Sequence, residues 1–99
     1  MTPELQQADL DPTTFEQLFI DLATHADVLG ISAKGGATRY AGTDSLDLAM
    51  ARAALLAGAV RGVQIRYRYQ DSEWWDTILA LNGVFRLVRT RPDFTEASS

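Results

Sequence analysis

The chain has 99 residues, of which 46% are hydrophobic and 22% charged, the composition of one small soluble domain. Thirteen acidic side chains against nine basic ones leave a net charge of −4, which argues against sequence-independent nucleic-acid binding, since that needs a basic footprint. There is no cysteine, so disulfide staples, thiolate metal sites, iron–sulfur ligation and a cysteine nucleophile are excluded.

The start, Met1-Thr2-Pro3-Glu4, lacks the basic and apolar regions of a signal peptide, and no apolar run approaches the roughly 20 residues of a membrane span. A cytoplasmic protein with no membrane partner is expected. Residues 1–10 are polar and aperiodic, the pattern of a flexible N-terminus. Asp11-Pro12-Thr13-Thr14 reads as a helix start, because Asp11 can cap free N–H groups and Pro12 suits a position that needs no donor. Phe15, Leu18, Phe19 and Leu22 recur at three-and-four spacing, so the helix runs to about Ala26 with one apolar stripe.

A short strand is expected over Val28–Ala33, weakened by Gly30. Lys34 to Gly42 holds three glycines and little apolar content, as a flexible connection would. A second helix should start at Asp44 or Ser45, run through about Leu56, and stop at Gly58 in the left-handed conformation. Leu46, Ala49, Met50, Ala53 and Leu56 form one stripe, yet Leu48, Ala51, Ala54 and Leu55 make the opposite side apolar too. A helix apolar all round is expected to be buried on more than one side.

Val63–Tyr69 alternates strictly, the period of a strand with one wet and one buried face. Trp74–Leu81 and Val84–Thr90 are two more strands, joined by Asn82-Gly83, a strong hairpin signal. Pro92 stops pairing, and residues 92–99 form a loose tail. The expectation is an α+β fold in one domain over residues 11–91, with two helices on one face of a mostly antiparallel sheet of about four strands. The element order is α-β-α-β-β-β, ending in a three-stranded meander.

Register decides which side chains meet. A three-residue loop at Asp71-Ser72-Glu73 places Tyr67 opposite Thr77 and Ile65 opposite Leu79, a coherent apolar face. A two-residue loop would move Asp76 onto that face, an expensive place for a carboxylate without partners. The three-residue loop is therefore expected, with Asn82-Gly83 pairing Leu81 with Val84, Ile78 with Leu87 and Asp76 with Arg89. On this register Arg68, Asp76 and Arg89 form a cross-strand ladder. It either fixes register as an ion-pair network or offers arginines to a carboxylate or phosphate.

The same face carries Trp74, Ile78, Phe85 and Leu87. With the helices on the other side, it becomes an apolar centre rimmed by Arg66, Arg68 and Arg89, the composition of a protein–protein interface. A sheet-to-sheet homodimer is its simplest use. The alternative is that the first helix and residues 1–10 fold over this face instead.

Catalytic sets are missing. His25 is the only histidine and sits near a helix end, where a cap or surface role suffices. No metal ligand set and no cofactor motif is present. Lys34, Gly35, Gly36 and Arg39 could present N–H groups and cations to an anion, without Walker or dinucleotide spacing. Asp76, His25 or Tyr40 would have to serve as acid–base groups in an enzyme, and their spacing selects no reaction. The charge is also segregated: residues 1–27 hold six acids and no Lys or Arg, whereas residues 61–91 are net +3. The expected function is a non-catalytic accessory or adaptor protein that works by protein contact, as a homodimer or with a protein partner. The alternative is a binder of a small anionic metabolite through the Lys34–Arg39 loop or the Arg68/Arg89 face.

Overall fold

The computed structural model describes residues 4–35 and 46–92. Its elements are β1 (Glu4–Leu10), α1 (Pro12–His25), β2 (Asp27–Lys34), α2 (Leu48–Leu56), β3 (Gly62–Tyr69), β4 (Ser72–Leu81) and β5 (Val84–Arg91). The strands form one antiparallel sheet in the order β1-β5-β4-β3-β2. The domain is α+β, with both helices contributing to a single core on one face. No helix among the described residues is long and apolar enough to cross a membrane.

Helix α1 follows from its sequence. Asp11 caps it by accepting a hydrogen bond from Thr14 N at 2.7 Å, Pro12 opens the first turn, and Phe15, Leu18, Phe19 and Leu22 are buried. Because β1 and β2 lie at opposite edges of the sheet, α1 spans its width. Phe15 stacks on Phe85 with ring centroids 4.4 Å apart.

Residues 4–10 are not a flexible terminus. They form β1, paired with β5 from Glu4–Arg91 to Leu10–Phe85, and so supply a fifth strand. The sequence hides this because the strand lies at an edge, where Gln6, Gln7, Ala8 and Asp9 are exposed and Leu10 is buried. The backbone partner is what β5 gains from it.

Helix α2 begins at Leu48, with Asp47 as its cap accepting from Met50 N at 2.8 Å. The expected start at Asp44 or Ser45 and the tail from 93 onward lie outside the described residues. Gly58 takes φ 71° after the helix, as expected. The apolar-all-round reading of α2 needs correction. Only Ala51, Ala54 and Leu55 are buried, while Met50 and Leu56 stand 48% and 50% exposed. Arg52 helps to set this rotation by gripping Glu16 of α1 through Nε and Nη2, each at 2.7 Å.

The β4–β5 hairpin has the expected two-residue turn at Asn82-Gly83 and the expected partners, Leu81 with Val84, Ile78 with Leu87 and Asp76 with Arg89. The β3–β4 turn differs. Its two turn residues are Gln70 and Asp71, at φ 51° and 66°, which place Tyr67 opposite Trp74 and Ile65 opposite Asp76. Such a left-handed pair matches the twist of the strands it joins. Relative to the expected pairing, the opposite faces of β4 and β5 now meet the helices, because side chains alternate with a period of two.

Candidate functional site

Two regions carry the chemistry of this fold, the sheet face without helices and a crevice beneath α1. Registered pairs share a face, so the helix-free side holds Gln64, Arg66 and Arg68 of β3, Glu73, Trp75, Thr77 and Leu79 of β4, and Arg86, Val88 and Thr90 of β5. Gln7 and Asp9 join them from β1, and Asp27, Gly30, Ser32 and Lys34 from β2. Trp75, Thr77, Leu79, Val88 and Thr90 are half-buried by their neighbours alone.

Two side chains lie low on this face for local reasons. A Cβ on Gly30 would stand 2.5 Å from Arg66 Nη2, and one on Gly62 would stand 2.9 Å from Leu79 Cδ2. Both long side chains therefore lie across bare backbone rather than standing off the sheet. Polar contacts hold the periphery: Trp75 Nε1 donates to Glu73 at 2.8 Å and Arg86 Nε donates to Asp9 at 3.0 Å.

On the helix side, Asp76 is fully buried. Arg89 donates to both of its oxygens, Nε and Nη2 each at 2.8 Å, and the Tyr67 hydroxyl donates at 3.1 Å. These three side chains answer the desolvation objection to this register, because the carboxylate keeps three donors. Burial, followed by the charge of Asp76, pushes the Tyr67 hydroxyl well above the usual tyrosine range. The same carboxylate holds the Arg89 guanidinium above its ordinary value. Tyr67 and Arg89 reach a crevice of about 390 Å³ also lined by Leu18, Asp21, Leu22, His25, Ala26 and Tyr69.

The structure separates the residues grouped from sequence. Asp76 and Arg89 are paired, but Arg68 lies on the opposite face, across from Glu73 and Asp27, so the three make no single ladder. Trp74, Ile78, Phe85 and Leu87 do not form an open surface. Ile78 is fully buried and the other three pack against the core, because the β3–β4 register turns them toward the helices. Of the expected rim, Arg66 and Arg68 are on the helix-free face and Arg89 is not. Lys34 ends β2, its carbonyl accepting from Arg61 N at 3.0 Å. Gly35 packs against the Arg61 side chain. Gly36, Arg39 and Tyr40 lie outside the described residues. Tyr67 and Trp75 are the site residues that sequence reasoning assigned to other surroundings.

The chain matches no family model, no curated protein and no solved structure, so the chemistry of these two regions is what bears on function.

Proposed function

We propose that this is a non-catalytic accessory protein that acts through protein contact and associates with a second copy of itself through the helix-free sheet face. One observation carries the reading: a helix-free, nearly charge-balanced face with Trp75, Leu79 and Val88 at or near its middle. Five strands about 4.8 Å apart and about 26 Å long give a projected face of roughly 600 Å². With side-chain relief this is close to the roughly 800 Å² that each partner contributes to a standard interface.

Charge favours a second copy here. The helix layer carries Asp11, Glu16, Asp21 and Asp47 against Arg52. The open face instead balances Asp9, Asp27 and Glu73 against Lys34, Arg66, Arg68 and Arg86. Two acidic molecules therefore meet least repulsion on this side, and a two-fold arrangement can set arginines against acids. Tryptophan and arginine are also the residues that carry most energy when an interface closes over them.

Light scattering across a concentration series tests this with wild type and Val88→Glu. A wild-type dimer, converted by the substitution into a folded monomer, supports the reading. A wild type that stays monomeric at every concentration, or a Val88→Glu protein that remains dimeric, removes it.

A further inference from the structure

The crevice beneath α1 supplies a second site. Tyr67 is a buried polar residue of its lining, at 5% exposure. Arg89 is also in the lining, with its side chain 29% exposed. Exposed Asp21, His25 and Tyr69 stand at the mouth, and Leu18, Leu22 and Ala26 form an apolar wall from α1. Arg89 commits Nε and Nη2 to Asp76. Among the described residues, its Nη1 has no acceptor.

A fully buried carboxylate whose arginine partner reaches a crevice needs a reason. Apolar groups of similar volume in place of a buried pair are often as stable or more so, and departures of this kind concentrate at functional sites. Here the pair fixes the guanidinium plane of a partly exposed arginine that lines a crevice of about 390 Å³, a size in the range of ligand pockets.

Charge and shape narrow the ligand. Asp76 already neutralises Arg89, Asp21 adds a negative charge at the mouth, and the C-terminal end of α1 adds a partial one. This surplus of negative charge repels a dianion about twice as strongly as a monoanion, and a single carboxylate can offset the smaller cost by hydrogen bonding to the guanidinium edge. The leucines and tyrosines offer contact only to an apolar body. We propose that the crevice binds a small monocarboxylate with an apolar body, its carboxylate on the Nη1 edge of Arg89 and its body between Leu18 and Leu22 on one side and Tyr67 and Tyr69 on the other.

Isotope-labelled protein titrated with phenylacetate, acetate and inorganic phosphate tests this by NMR. Saturable amide shifts at Leu22, Tyr67, Tyr69 and Arg89 are expected with millimolar phenylacetate. Acetate should bind at least tenfold more weakly, and phosphate should leave these residues unmoved. Ala26→Trp, which fills the half-exposed wall, should weaken phenylacetate at least tenfold. Asp21→Asn, at an exposed position that any fold should tolerate, should tighten it. Absence of saturable shifts overturns the proposal, as does equal response to phosphate or binding unchanged by both substitutions.

Discussion

Arg89→Met isolates the energetic role of the buried cluster. Asp76 is 0% exposed and Arg89 29%, so truncating the arginine leaves a carboxylate in the core with only the Tyr67 hydroxyl, 3.1 Å away. Breaking a buried pair costs about 3–5 kcal/mol. The remaining hydroxyl and the partial exposure of Arg89 put this case at the low end, about 3 kcal/mol. Against a total stability of about 5–15 kcal/mol for a domain, that is a large loss. The triple variant Tyr67→Phe/Asp76→Val/Arg89→Met removes every partner together and leaves no stranded polar group, so it should lie within about 1 kcal/mol of wild type or above it. Urea unfolding followed by tryptophan fluorescence, compared at equal m-values, measures both. An Arg89→Met cost below about 1 kcal/mol, or a triple variant as unstable as the single, refutes the reasoning.

The remaining predictions concern the open face, the core tryptophan and acid stability. Gly62→Ala should cost about 1–3 kcal/mol in urea unfolding, because the new Cβ would meet the Ile78 backbone oxygen at 2.8 Å. Gly30→Ala should cost less, since the obstacle there is the movable tip of Arg66. Trp74→Phe should stay within about 1 kcal/mol of wild type, because the Trp74 Nε1 it removes is buried without a partner. The Arg52 guanidinium holds the Glu16 carboxyl below its ordinary value of 4.5. The unfolded chain therefore takes up that proton first, and the stability from the pair is present above pH 4.5 and lost as pH falls below it. Glu16→Gln should flatten that part of the stability-against-pH curve, read by thermal melts.

What the sequence disclosed was local. The Asp11 cap, the Phe15–Leu22 stripe and the Asn82-Gly83 turn each depend on a few neighbouring residues, and each stands in the fold as read. Two features depended on distant partners. Strand β1 has little apolar pattern of its own and exists because β5 has an edge to fill. The β3–β4 register turned on Asp76, whose burial looked prohibitive without its neighbours. The Arg89 partnership was legible from the β4–β5 hairpin, but the Tyr67 hydroxyl was not, because the longer turn sent Tyr67 and Asp76 to opposite faces. A register shift of three residues, an odd number, then exchanged Trp74 for Trp75 at the open surface, and with it the residues a partner would meet.

That exchange makes a single-tryptophan experiment decisive for the account. In Trp74→Phe protein the only indole belongs to Trp75, on the helix-free face, and acrylamide quenching can be followed from high concentration to extreme dilution. Association through this face predicts an indole shielded at high concentration that becomes more quenchable on dilution, with Val88→Glu quenchable throughout. Quenching that is independent of concentration while the mass changes would place the contact elsewhere and contradict it.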